Sequence, residues 1–481
     1  TGWTIIRAAN DGAAVILSNY VYFGGAVNGG VATGSSHIQV EGLKLLRSTI
    51  TSRRSHHIKV LRTGIKNGVP PESRYGTVVS IQENSHHILL EDVWVVGAMR
   101  YGILVYESEK VVLRRVVTRY DGNTEREPKA GVSFYGATEG IAGASNSVCQ
   151  NCIALDFNPG SDAGLYVPHS GRNIKFVGSL SLNVPANGIS FNEDTECRDQ
   201  DVINSVVWDC SSGLVMGDGG PAATTRIEQV TAAASTRGLA QFPGSGQTNP
   251  YTVVKNCMFI SNSLANTGAD VSSYNHYFPG SQAQGSFTTT NNPLLQYILR
   301  TSDAGTGENG ARRGATVEYR VGAPGTLWDE PGYDEATTER LWPWPNEDRI
   351  HDDAAAADGF SYPSTNWNGA PYTVTNFTDR GFAAPGMTLT RYIWEYLGAA
   401  CPRDVCDPID CSLSLESNGI AVTFTTATGR HYDIQQRTSG AWTGGWQEVV
   451  EGLAGAGGAL SHVLTNPASL SVYRVVETNA P

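Results

Sequence analysis

One short pattern recurs through the first half of the chain and restricts what it can fold into: a small or polar residue, then glycine, then alternating apolar positions. It reads YGTVVS at 75, YGILVY at 101, AGVSFY at 130, AGLYVP at 163, NGISFN at 187, SGLVMG at 212 and RGLAQF at 237. Gly76, Gly102, Gly131, Gly164, Gly188, Gly213 and Gly238 are spaced by 26, 29, 33, 24, 25 and 25 residues. A second strand-like segment recurs in the same periods, as HIQVEGLKL at 37, HIKVLRTGI at 57, HILLEDVWV at 87, KVVLRRVVT at 110, NIKFVGSLS at 173 and VINSVVWD at 202. Strands this short cannot bury an apolar face alone, so repeats of roughly 20 to 50 residues must stack on one another. Parallel stacking gives a β-helix in which each coil climbs about 4.8 Å. There is no LxxLxL consensus and no helix-period segment between the strands, which sets leucine-rich repeats and propellers aside.

The composition agrees with short buried strands joined by tight turns. Of 481 residues, 40% are hydrophobic and 17% charged, with 54 glycines and 22 prolines, which is an all-β profile. The net charge of −12 repels phosphate backbones and argues against a nucleic-acid partner. No apolar stretch approaches the roughly 20 residues that span a bilayer. The chain begins at Thr1, already in a strand-like rhythm over Trp3–Ala9, and is expected to be a processed, secreted protein.

The eight cysteines fall into two groups. Cys149, Cys152, Cys197, Cys210 and Cys257 lie in or beside strand-like runs and are expected to pack as free thiols. Cys401, Cys406 and Cys411, in CPRDVCDPIDC, are expected to crosslink a linker. The CxxC of Cys149 and Cys152 lacks a second pair or a nearby histidine to complete a zinc set. Asn151, Asn204 and Asn256 recur at one place in NCIAL, NSVVW and NCMFI, where stacked amides are expected to form a ladder along the axis.

The SSHI and SHHI strand openings, the NCI turns and the AGV and NGI strands resemble the right-handed parallel β-helix repeat proteins of the pectin-lyase-like superfamily. The resemblance covers about residues 1–285. It implies a right-handed solenoid, as the crossover rule also does. That superfamily includes polysaccharide lyases, glycoside hydrolases, phage tailspikes, adhesins and noncatalytic surface proteins, so the fold leaves function open.

The expected organisation is a parallel β-helix over 1–290, an irregular wrapping or capping segment over 291–400, a Cys-rich linker over 401–411 and a β-sandwich over 412–481. In the wrapping segment, Thr388–Leu397 is expected to be a short helix with Leu389, Ile393 and Leu397 on one face. The acidic run PNEDRIHDD could hold Ca²⁺ but lacks the DxDxDG spacing, and a solvated turn is the simpler expectation. The run GRHYDIQQR, WQEV and YRVVE resembles fibronectin-type-III-like modules, which space, attach or bind.

If each repeat glycine fixes the register, positions +1 and +3 point inward and +2 and +4 outward. The inward set is then Ile103, Val105, Val132, Phe134, Leu165, Val167, Ile189, Phe191, Leu214 and Met216. The outward set holds Tyr106, Ser133, Tyr135, Tyr166, Ser190 and Asn192, followed by His169, Glu193 and Asp218. Two residues before the glycines stand Arg74, Arg100, Lys129 and Asp162, a basic stripe beside the tyrosines. Tyrosine rings can stack on sugars, and arginine pairs with carboxylate or sulfate. Proton removal next to a uronate carboxylate needs that charge neutralised and a base at hand, which nominates Lys129, Tyr135, Tyr166 and His169 as catalytic. Arg74, Arg100, Tyr106, Asn192 and Glu193 are the expected substrate-binding residues.

Hydrolysis needs paired carboxylates, and Asp121, Asp156 and Asp162 could supply them, but Asp156 aligns with Arg119 as a surface ion pair. A lyase is therefore favoured over a hydrolase if the protein is an enzyme. The histidine pairs at 56–57 and 86–87 repeat, with His37, at strand starts, so a structural placement is favoured over metal ligation and no metal is assigned. The sequence thus points to a secreted β-helix that binds, and could cleave, an anionic extracellular polysaccharide. The alternative is a noncatalytic structural, adhesive or filament-forming subunit that self-assembles through its solenoid ends or C-terminal module.

Overall fold

The computed structural model describes residues 2–24, 27–28, 31–32, 34–68, 76–97, 100–120, 129–136, 143–157, 161–191, 197–217, 224–241, 251–264, 269, 271–277, 306–356, 378–398, 401, 403–406, 411–426, 431–438, 447–465 and 471–478. The chain divides into two compact units, Thr1–Ala400 and Cys401–Pro481.

The first unit is a parallel β-solenoid in which 27 of the described strands form one continuous sheet. Three ladders run along its axis, one more strand per period than the two sequence patterns show. The first passes from Thr4–Arg7 through Ser36–Glu41, His56–Lys66, His86–Gly97 and Glu109–Arg114 to Ser145–Gln150 and beyond. The second includes the far half of His86–Gly97, then Val117–Tyr120, Ile153–Leu155, Leu180–Phe191 and Val206–Met216. The third carries the glycine repeat, through Thr77–Gln82, Tyr101–Tyr106, Ala130–Tyr135 and Ala163–Val167. Every residue of the inward set is buried in a single core with apolar residues of the other two ladders.

Each corner between ladders needs one residue out of the extended conformation, and Asn151, Asn204 and Asn256 supply it at φ of 52°, 48° and 55°. The residue one or two places on is often a buried serine that closes the backbone. Ser179 Oγ accepts from Cys152 N at 3.2 Å, Ser205 Oγ from Ser179 N at 3.1 Å and Ser235 Oγ from Cys210 N at 3.2 Å. Unpaired buried N–H groups would cost more than these bonds gain, which is why serine recurs there.

The corner asparagines do not form the expected axial amide ladder; they clamp the segment that follows the solenoid. Asn204 Nδ2 donates to Thr316 O at 3.0 Å while Thr316 N donates to Asn204 Oδ1 at 2.7 Å. Val321 N donates to Asn151 Oδ1 at 2.7 Å, and Glu308 N to Asn256 Oδ1 at 2.8 Å. A left-handed corner turns its side chain outward, where a passing backbone offers better partners than the next amide. Amide contacts along the axis occur elsewhere, at Asn173–Asn146 and Asn183–Asp156, both 2.8 Å.

The same segment is anchored by a buried charge network. Arg114 donates to Glu91 at 2.7 Å, Gln150 at 2.8 Å and the carbonyls of Ala323 at 2.8 Å and Tyr333 at 3.0 Å. Arg115 forks onto Asp92 at 2.6 and 3.0 Å. Next, the acidic run forms the helix Glu347–Ala355 rather than a solvated turn. Asp353 lies buried against Lys44 at 2.7 Å and Trp94 Nε1 at 2.9 Å, so its charge is already matched. The helix Leu389–Tyr396 is capped by Thr388, whose hydroxyl accepts from Arg391 N at 3.2 Å. Its Leu389 and Ile393, with Leu397 just beyond, are fully buried.

The second unit contains two antiparallel three-stranded sheets. One joins Cys411–Glu416, Gly419–Thr426 and Gly458–Leu464; the other joins Gln447–Ala454, His431–Thr438 and Ser471–Thr478. Val422, Phe424, Tyr432, Ile434 and Tyr473 fill the core between them. Cys401 and Cys406 form a disulfide, whereas Cys411 is free and exposed and the five solenoid cysteines are free and buried.

Candidate functional site

The third ladder positions most of the residues nominated from the sequence. Its strands pair in register, so Tyr106 stands beside Tyr135, and Gly136 N donates to His169 O at 3.1 Å one coil on. The rings follow this register: Tyr106 and Tyr135 stack at 5.5 Å and 20°, and His169 meets Tyr135 edge-on at 5.2 Å and 82°. All three are half-buried. The stacked tyrosine rings each cover one face of the other, which reduces the open ring area expected from the sequence and leaves hydroxyl edges to meet a ligand. Burial, Glu107 and Tyr135 push the Tyr106 phenol up to about 12, so it keeps its proton and serves as a hydrogen-bond donor, not a base.

The cationic stripe lies at the other end of the same strands, about 20 Å from the Tyr106 row by strand rise. Backbone bonds hold it in line: Lys129 N donates to Arg100 O at 2.8 Å, and Asp162 N to Lys129 O at 2.9 Å. The Lys129 ammonium is bound to Asp162 at 2.8 Å, so the column contains an ion pair as well as a cation. The Arg100 guanidinium lies over the Tyr101 ring, 5.6 Å from its centroid. Burial pushes the Tyr101 phenol up.

Between the ends, the expected exposed face is corrected. Tyr166 retains only 3% of its surface and packs with Tyr101, Ala130 and Ala163, while Ser133 and Ser190 are fully buried. Strand alternation placed these residues on the outer side of the coil correctly but says nothing of what covers that side. Arg74, Asn192, Glu193 and Asp218 lie outside the described residues, as does Asp121. The surface ion pair expected of Arg119 and Asp156 is also corrected, because both are buried. Arg119 sits over the Phe382 ring at 4.5 Å, and Asp156 accepts from Asn183 at 2.8 Å and from the Tyr392 hydroxyl at 2.7 Å. Asp156 thus docks the helix Leu389–Tyr396.

The histidines form a second cluster that sequence repetition located and side-chain chemistry enlarges. His37, His57 and His87 stack in one column at 4.7 and 4.9 Å, and His56 and His86 in a second at 5.0 Å. Among the described residues, His57, His86 and His87 are the group whose ring nitrogens come within 4.8 Å of one another; the acidic run at 346–353 is not such a group.

Parallel strand pairing and the continuous core define the first unit as a parallel β-solenoid. No protein-family model matches it, and no curated protein matches it. Among solved structures it is similar to the A-module of a mannuronan C-5 epimerase from Azotobacter vinelandii, at 12% identity and a TM-score of 0.27, over 59% of this chain and 82% of that one. It is similar also to a PL6 family polysaccharide lyase from Pseudopedobacter saltans, at 10% and 0.29, over 65% and 90%. A pectate lyase from a Paenibacillus species matches at 10% and 0.26, over 58% and 66%. Likeness at this level does not reach from the stacking of coils to their chemistry, and the fold rests on the pairing described above. Among the described residues no helix is long and apolar enough to cross a membrane.

Proposed function

We propose that this protein is secreted and binds an anionic extracellular polysaccharide along the outer side of its third ladder. The observation that carries this is the register itself: one set of strands holds Arg100 and Lys129 in line at one end and Tyr106, Tyr135 and His169 in line at the other. A polymer with a carboxylate or sulfate on each sugar needs this kind of repeated, one-directional array, with cations for the charge and phenols for the hydroxyls. Arg74, Asn192 and Glu193 are proposed as further binding residues from the sequence, although the strand register sets Gly76 rather than Arg74 opposite Arg100. If the polymer is cut, β-elimination fits better than hydrolysis, because Asp162 is committed to Lys129. The proton would then pass to His169, since Lys129 is held as an ammonium by Asp162, Tyr106 keeps its own proton and Tyr166 is shut away. The C-terminal sandwich is proposed as a fibronectin-type-III-like spacer or attachment module.

Incubation with uronate-containing and neutral glycans, with and without Ca²⁺, tests the chemistry by the absorbance of unsaturated ends and by reducing-end release. Unsaturated products lost in Lys129→Ala or His169→Ala support a lyase at this site; products unaffected by both variants place it elsewhere.

A second reading, a noncatalytic self-assembling subunit, is favoured by the first coil. Ile5, Ile6, Val15, Leu17 and Tyr20 are each more than half exposed on strands paired on one side only among the described residues. Sedimentation of the wild type and of an Ile5→Lys, Val15→Lys variant decides it: assembly abolished by the charges supports this reading, and a monomer in both removes it.

A further inference from the structure

The histidine columns have a geometry that structural packing does not require. Within each pair the two Nδ1 atoms face each other, at 2.9 Å for His56 and His57 and 2.8 Å for His86 and His87. A histidine held for structure alone usually turns a ring N–H to a carbonyl or carboxylate. Here nitrogen meets nitrogen, with an N–H on one ring facing a lone pair on the other. That separation is also the bite of two imidazoles on one metal ion. With metal–nitrogen bonds of 2.0–2.1 Å, two ligands lie about 2.9 Å apart at a right angle and about 3.4 Å apart at the tetrahedral angle. The neighbouring coil brings in a third ring, stacked one strand spacing away.

We propose that His57, His86 and His87, with His56 in reserve, form a binding site for a late first-row divalent cation such as Zn²⁺ or Cu²⁺, bridging two successive coils. One ring nitrogen from each of the three already lies within 4.8 Å of the others, and small ring rotations close the remaining distance. The all-imidazole donor set selects zinc, copper or nickel over calcium and magnesium, which require oxygens. A fourth position stays open to water or a ligand, because all four rings are only half-buried.

Within each pair, the ring that carries its proton on Nδ1 shifts it to Nε2 when the metal takes the Nδ1 lone pair. The cation next along the column, Lys110, is neutralised by Asp329 at 2.9 Å, and Glu330 adds a negative charge near His57.

The column also provides a conservative variant. His37, His57 and His87 occupy left-handed positions at φ of 56°, 54° and 53°, and further coils place Asn146 and Asn173 in the same setting at 46° and 51°. His57→Asn with His87→Asn should therefore keep the backbone while removing two ligands. Tag-free, metal-stripped protein is titrated with ZnCl₂ by calorimetry and with CoCl₂ by visible absorption, with CaCl₂ as the control and circular dichroism to check folding. The expected result is one Zn²⁺ per chain, Co²⁺ bands of nitrogen ligation, a rise in Tm with Zn²⁺ and no response to Ca²⁺. Affinity in the double variant should fall by more than the roughly 10–100-fold that losing an outer-shell partner costs a metal site. His86→Gln should weaken binding on its own. Failure of the wild type to bind Zn²⁺ stoichiometrically, or unchanged affinity in both variants, overturns the proposal.

Discussion

Gly64 shows how a single residue secures the docking of distant chain. A Cβ built there would lie 2.2 Å from Asp353 Oδ2 and 2.4 Å from Trp94 Nε1, the atoms that bond to each other across the solenoid surface. Gly64→Ala is expected to cost about 1–3 kcal/mol through forced separation of this pair, read as a lower urea midpoint. Gly2→Ala, with nothing within 4 Å, should leave the midpoint unchanged. The thiols give a second prediction at this scale. Burial pushes Cys210 and Cys257 up to about 12, and all five solenoid cysteines are enclosed, whereas Cys411 is exposed. An aromatic disulfide reagent at pH 8 should therefore titrate one thiol in the native protein and six in denaturant; early reaction of two or more would contradict the packing. The apolar residues of the core were legible from the sequence because strand alternation repeats in every period. The need for glycine at 64 was not, because its partner Asp353 lies in a segment without a repeat. Nor was the burial of Tyr166, since alternation fixes only the side of a strand.

Among the elements, the segment at 306–341 depends on single amides of the solenoid corners. Asn204 both donates to and accepts from Thr316, and its backbone is left-handed. Asn204→Ala removes both bonds and strands the Thr316 N–H, at a cost of about 1–3 kcal/mol. Limited proteolysis should then cut within 306–341 sooner than in the wild type, and Asn204→Asp, which keeps the acceptor, should fall between them. Equal cutting rates in all three would show that the charge network at Arg114 holds the segment alone. The recurrence of these asparagines was plain in the sequence; their partner was not, because a corner amide bonds to whatever backbone passes over it. The helix Leu389–Tyr396 was legible from the spacing of its buried residues, whereas the helix Glu347–Ala355 was obscured by its acidic composition. Its Asp353 is tolerable only because Lys44 and Trp94 meet it.

At the scale of the molecule, the solenoid extends every corner and strand position into a row, and rows suit polymeric ligands. The repeat made the rows visible, but the sequence could not show that Lys129 is paired with Asp162 or that Tyr106 and Tyr135 each cover one face of the other. With a net charge of −12, an anionic polymer must bind against the overall field, so attraction has to come from the local cations and should weaken with salt. The most direct measurement is titration of the purified protein with a uronate polymer and with a neutral glucan, at low and high ionic strength, alongside Arg100→Ala and Lys129→Ala variants. The proposed glycan site predicts binding of the uronate polymer that weakens with salt and is reduced in each variant, with the neutral glucan bound far less. Equal binding of both polymers, or uronate binding indifferent to salt and to both substitutions, would contradict a glycan site on the third ladder.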